Sequence, residues 1–360
     1  MTEADHEAKQ GCTHFLSQHV PVAPRTLLAT LAAHPAAAAR ADVYGEGGAV
    51  GLLEQRVVAL LGKPSGQFFI KGVTAQLCVL RAYAEARGTR NVVIHPLSHL
   101  DHDESHAIER VADLTAIRLG RHAPFTVADL ERVDVPLAAV VVELPLRRAG
   151  YLLPDYDALV AIAAWCRAQR VPLHIDGARL WEAAAGYGVP LDRIAALADS
   201  LYVSFYKGLG GLGGALVAGS TAFIASLAAW KTRYGGDLYT AYPQAISALI
   251  GLDLQLPRMP DYVARARALA KGLQSLPDIL LQPQIPHGNA FQIWMPGDPA
   301  ALADRHRAFA RAHRVWLFGG FQPTALASHA MAEIVIGDGS DQYSIEQAVG
   351  WIGAFLKQRD

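Results

Sequence analysis

A lysine, Lys207, stands between an apolar run and a glycine-rich loop, in Leu201-Tyr202-Val203-Ser204-Phe205-Tyr206-Lys207-Gly208-Leu209-Gly210-Gly211. Upstream, a second apolar run ends in acid and base: His174-Ile175-Asp176-Gly177-Ala178-Arg179-Leu180. A lysine amine can hold an aldehyde as a Schiff base, and a carboxylate can keep a pyridine nitrogen protonated so that the ring draws electrons. Pyridoxal phosphate needs both groups, and adjacent parallel strands can present them to one ring. Glycines after Lys207 let the backbone crowd a flat cofactor without Cβ clashes. Either segment alone is weak, because a lysine before glycine is ordinarily a solvated turn. Their combination is specific. A Walker-type phosphate loop is excluded, since no Ser or Thr follows Lys207 and the leading glycine is missing.

The elements that must position these groups follow from periodicity. Val50 to Leu61, Thr74 to Glu85 and Asp155 to Ala168 have helical spacing. Gln67 to Ile70, Asn91 to His95, Ala116 to Leu119, Ala138 to Glu143, Pro172 to Asp176 and Leu201 to Ser204 are short apolar runs bounded by breakers, and predict strands. Strands apolar on nearly every residue, separated by helices, imply an α/β fold with a mainly parallel sheet covered on both faces. Ligands bind such sheets at the carboxyl ends of the strands, where this chain carries His95 to His99, Glu143, Asp176 and Ser204 to Lys207. After about residue 240 the pattern changes to a smaller α+β domain. Helices are expected over Asp261 to Gln274, Ala300 to Ala312 and Ser344 to Lys357, with short strands near Leu280, Phe291 and Ile334. The expected organisation is an N-terminal segment over 1–40, a large domain over 41–240 and a small domain over 241–360.

Composition narrows the function classes. The 360 residues are 52% hydrophobic and 18% charged, enough for a large buried core, with a formal net charge of -1. That balance gives no reason to expect nucleic acid or an anionic membrane surface as partner. The three cysteines, Cys12, Cys78 and Cys166, form no CxxC pair, which argues against a disulfide framework and a structural metal. The acidic start lacks the pattern of a signal peptide, and no apolar stretch reaches the roughly 20 residues that span a bilayer. A cytoplasmic protein without a metal site is expected.

These segments, with Asp42-Val43-Tyr44-Gly45-Glu46, resemble the threonine aldolase and β-eliminating lyase family of fold-type I pyridoxal-phosphate enzymes. Glu143-Leu144-Pro145 and Ser204-Phe205-Tyr206-Lys207-Gly208 are similar to a bacterial threonine-aldolase-like subgroup. The resemblance implies that Lys207 carries the cofactor, that Asp176 pairs with its pyridinium nitrogen, and that Arg179 binds the substrate carboxylate or the cofactor hydroxyl. It implies that His99 stacks on the ring and helps proton transfer; His102 and His106 nearby read as helix-start surface residues. The phosphate would lie on Gly72, Val73 and Thr74, at a helix start suited to anions, with Ser204 as a second contact. Arg233 to Tyr239 matches a stretch lent across a dimer interface, where Tyr239 stands in place of a basic residue. Tyr44 and Ser17 fall in segments that border the substrate.

Three departures bear on the reaction. The histidine expected after the strand-end acid is Leu146, the region of the small-domain carboxylate arginine reads Met331-Ala332-Glu333-Ile334, and the N-terminal Arg-Ser-Asp-Thr segment is reduced to Leu16-Ser17-Gln18-His19. Arg147 or Arg148 would replace the missing cation. The resemblance implies retro-aldol cleavage of a β-hydroxy-α-amino acid to glycine and an aldehyde, with β-elimination on another amino acid as the alternative and a non-catalytic cofactor-binding protein as the outlying one. It also implies a homodimer or homotetramer with the site at the subunit interface.

Overall fold

The computed structural model describes residues 2–357. It forms two compact units, one of Ala23–Pro257 and one that joins the first 22 residues to everything from Arg258 onward. The boundary therefore lies at 257/258 rather than 240/241, and the N-terminal residues divide at 22/23 rather than 40/41. Helix Tyr242–Leu254 explains the first shift, because it packs on helix Gly48–Leu61 of the large unit. His14 and Phe15 explain the second, pairing in parallel with Val315 and Trp316.

In the large unit seven strands form one sheet: β1 (Ser65–Phe69), β2 (Asn91–Ile94), β3 (Thr115–Arg118), β4 (Ala139–Glu143), β5 (Leu173–Gly177), β6 (Ser200–Ser204) and β7 (Ala215–Gly219), in the order β1-β7-β6-β5-β4-β2-β3. The five strands β2 to β6 run parallel. Strand β7 runs antiparallel to both its neighbours, β6 and β1. It was not legible as a strand. It returns directly from the glycine-rich loop, closed by a hydrogen bond from Phe205 N to Gly214 O, where the spacing suggested only a cofactor loop. Strands β5, β6 and β7 are buried at every residue, which is why their sequences are apolar without alternation.

Helices α1 (Gly48–Leu61), α2 (Gly72–Arg87), α3 (Tyr156–Gln169), α4 (Leu180–Tyr187), α5 (Thr221–Arg233) and α6 (Tyr242–Leu254) belong to this unit. A core of α2, the sheet and α5 includes Cys78, Val79, Leu80, Val92, Ile94 and Val217. One polar row crosses it. His174 Nε2 lies 2.7 Å from Gln76 Oε1 and Nδ1 lies 2.8 Å from Ser200 Oγ, which also accepts from Tyr83 at 2.8 Å. His174 and Asp176, two residues apart on β5, share a face of the sheet, so this buried row lies under the acid at the strand end.

The second unit carries a four-stranded antiparallel sheet in the order Gln322–Pro323, His329–Val335, Ala290–Pro296, Leu280–Gln282. Its helices include Met259–Leu273, Pro299–His313 and Ile345–Lys357, close to the expected spans. Among the described residues no helix is long and apolar enough to cross a membrane.

Candidate active site

The carboxyl ends of the parallel strands converge on Lys207. Glu143 at the end of β4 and Asp176 near the end of β5 are Cα partners, and Asp176 in turn pairs with Tyr202 on β6. Asp176 is buried and accepts a hydrogen bond from Ala178 N at 3.1 Å. Lys207 follows β6 in a turn closed by Gly210 N to Lys207 O and Gly211 N to Phe205 O. Helix α4 is tied to that turn by Trp181 Nε1, which donates to Ser204 O at 3.0 Å. Burial lowers the Lys207 amine, Arg179 lowers it further, and the opposing carboxylates are Asp176, Glu143 and Glu182. A lysine drawn toward its neutral form is the nucleophile that carbonyl chemistry needs.

Arg179 caps the start of α4, and its guanidinium lies over the buried Tyr151 ring, 5.2 Å from the centroid. The pairing of cation and ring holds the guanidinium in place from one side. His99 opens the short helix His99–His102 that follows β2 and its connecting loop. The loop is fixed by His95, whose Nδ1 accepts from Leu97 N and whose Nε2 donates to Ala123 O. Backbone N of His99 donates to Glu143 Oε2 at 2.7 Å, and Arg147 N donates to Glu143 Oε1 at 3.1 Å. One carboxyl thus pins two loops. Burial and the nearby charge of Asp176 push the Glu143 carboxyl up. His99 Nδ1 lies 2.9 Å from Oε1 of the buried Glu104. That hydrogen bond raises the imidazole above its ordinary value, against the opposing effect of burial.

A phosphate-sized anion has a matching end. The N-cap of α2, Lys71, supplies no side-chain cap, so the opening turn at Gly72, Val73 and Thr74 keeps its unmatched N–H groups. The Gly72 Cα is crowded by Tyr202: a Cβ there would overlap the phenol oxygen. Ser204 is wholly buried and its Oγ has no hydrogen-bond partner. An orphaned hydroxyl at a strand end, an uncapped helix start, a half-buried lysine and a buried acid are a donor set that fits pyridoxal phosphate.

The remaining expected residues are engaged in other contacts or exposed. Arg148 is held by Asp103 through two bonds, Nε to Oδ2 at 2.9 Å and Nη2 to Oδ1 at 2.6 Å. Tyr44 is 60% exposed, with φ +52, and meets Tyr239 edge to face at 5.5 Å. Ser17 belongs to the other unit, where its hydroxyl accepts from Val335 N and donates to Val335 O. His102 and His106 are exposed. Three acids went unassigned in the sequence reading: Glu104, Glu143 and Glu182. Glu143 was visible as a strand-end acid, and Glu182 as a charge inside the apolar string Leu180-Trp181-Glu182-Ala183-Ala184. Nothing in the sequence marked Glu104 as the partner of His99.

Fold and site together define a fold-type I pyridoxal-phosphate enzyme architecture, with a lysine and an acid at the ends of adjacent strands. The family described as beta-eliminating lyase matches residues 28–293, and the chain belongs to it. Among solved structures, a candidate L-allo-threonine aldolase from Listeria monocytogenes EGD-E superposes with a TM-score of 0.91 at 30% identity, covering 99% of this chain and 98% of that one. A candidate aromatic amino acid beta-eliminating lyase/threonine aldolase from Exiguobacterium sp. 255-15 gives 0.91 at 31%, covering 99% of both. Low-specificity L-threonine aldolase 1 of Arabidopsis thaliana is 24% identical over 250 residues, which are 66% of this chain and 69% of that protein.

Proposed function

We propose that the chain is a pyridoxal-phosphate-dependent carbon–carbon lyase that cleaves a threonine-type β-hydroxy-α-amino acid to glycine and an aldehyde. The observation that carries this reading is the convergence of Lys207, Asp176 and Arg179 at the strand ends. Similarity to the Listeria and Arabidopsis proteins supports the choice of substrate class.

Bound there, pyridoxal phosphate supplies an aldehyde that condenses with amines and a ring that accepts the electrons of the broken bond. Lys207 would hold it through Nζ. Asp176 would keep the ring nitrogen protonated, a role suited to a buried acid aimed from a strand end. Gly72, Val73, Thr74 and Ser204 would take the phosphate, and Tyr239 would donate to it from a neighbouring subunit. Arg179 would bind the substrate carboxylate or the cofactor hydroxyl, with Arg147, Arg148 and Tyr44 bordering the substrate. His99 would stack on the ring. With Nδ1–H given to Glu104, its Nε2 is left as the acceptor for the substrate's β-hydroxyl proton. An imidazole whose affinity for protons is raised in this way is a competent base close to neutral pH.

The same reading makes the protein a cytoplasmic homodimer or homotetramer. Exposed apolar side chains on the large unit, among them Leu52, Leu238, Tyr239, Tyr242 and Leu254, support association. A second reaction, β-elimination, is favoured by Leu146: at 2% exposure it is a buried apolar residue where the aldolase pattern has a histidine. The lysine assignment is tested with purified Lys207→Ala. It should lack the yellow absorption of the wild-type protein, and a retained band would remove Lys207 from its role.

A further inference from the structure

Glu182 is a buried acid in this region with no assigned role. It lies on α4, three residues after Arg179, and is 1% exposed. Its carboxyl oxygens have no side-chain partner, and only the backbone N–H groups of Glu182 itself and of Gly208 act on them, at poor hydrogen-bond geometry. A buried, poorly satisfied carboxyl is costly, and folded proteins retain few of them without a use. Its neighbours say what the use is. The carboxyl presses on Gly208, the residue after Lys207: a Cβ at 208 would overlap Oε1 and stand 2.6 Å from Cδ. Glycine at 208 is therefore required for the acid to sit beside the lysine turn. The cations facing it are Arg179 and Lys207. Arg179 is already stacked on Tyr151.

We propose that Glu182 is the docking counter-ion for the Lys207 ε-amino group whenever that lysine is not joined to the cofactor. When a substrate amine takes the lysine's place, the freed amine needs a position within one side-chain swing of its return, away from the reacting carbon. A carboxylate buried against Gly208 offers it an acceptor there, and the lysine in turn satisfies the poorly matched oxygens. Glu182 acts through Lys207 and is a positioning residue. The acids Asp176 and Glu143 also face Lys207. They lie at the ends of β5 and β4, whereas Glu182 approaches from α4.

The inference rests on Lys207 being the cofactor lysine, and its test separates the two claims. Apoprotein is mixed with pyridoxal phosphate over a range of pH, and the rate at which the yellow band appears is recorded. Only the neutral amine attacks, so the acid limb of this profile reports the Lys207 ionisation. In Glu182→Gln the lysine loses its counter-ion, and the limb should move down by about one pH unit, a tenfold change in proton concentration. Glu182→Met, of similar volume and fully apolar, carries the same prediction if the glutamine variant does not fold. A merely structural acid would change stability and leave the limb where it was. Superimposable profiles in a folded variant overturn the docking role while leaving Lys207 as the cofactor lysine. Wild-type apoprotein that never turns yellow overturns both.

Discussion

His99 Nδ1 lies 2.9 Å from Oε1 of Glu104, an acid whose side chain is only 2% exposed. The contact orients the ring and leaves Nε2 as the working nitrogen. Glu104→Gln should therefore lower the His99 ionisation, because this hydrogen bond is the largest cause that raises it. The sign for stability follows. With the folded value above the unfolded one, the pair's contribution is complete below the ordinary histidine value of 6.5 and fades as pH rises through the folded value. Proton NMR of the His99 ring in both proteins checks the shift. An unmoved titration would contradict the pairing.

Ser204 offers a second test. Its Oγ is buried without a partner, so removing it should cost the apoprotein little. Cofactor affinity should fall roughly tenfold in Ser204→Ala, the worth of one hydrogen bond to a charged group. Equilibrium titration with pyridoxal phosphate measures it. Unchanged affinity would take Ser204 out of the phosphate site.

The row beneath Asp176 makes the fold sensitive to acid. Burial pushes His174 down to about 3, so the folded protein keeps it neutral between Ser200 and Gln76. A depressed folded value means the contribution is complete above 6.5 and is lost as pH falls toward 3, because the unfolded chain binds the proton first. His174→Phe should remove this acid dependence. At pH 7 it should also destabilise by about 2–4 kcal/mol, since Ser200 and Gln76 lose their partner. Urea unfolding at several pH values reads both effects.

Much of this was legible in the chain, for physical reasons. Strands β4, β5 and β6 are buried on both faces, so they appear as continuous apolar runs, and the polar residues that interrupt their ends mark the site. Lys207 and Asp176 were singled out as candidates in this way. Strand β7 was missed because it follows the glycine loop without a helix between, so no change of period announces it. The domain boundary was misplaced because α6 is as apolar as the core it packs against, and its membership depends on contact with α1. The Glu104–His99 pair and the Glu182–Gly208 contact depend on tertiary approach, which spacing does not encode.

On the proposed reading, Lys207 and Asp176 support retro-aldol chemistry on a threonine-type amino acid. The most direct test is an absorption spectrum of the purified protein before and after L-threonine, L-allo-threonine and glycine, with aldehyde assayed in parallel. A yellow band that shifts with these ligands is expected, with release of acetaldehyde from one or both threonine isomers. A band that shifts while ammonia and a keto acid appear in place of acetaldehyde would contradict the aldolase assignment in favour of β-elimination. A protein with no such band in the presence of pyridoxal phosphate would rule out both the cofactor and the reaction.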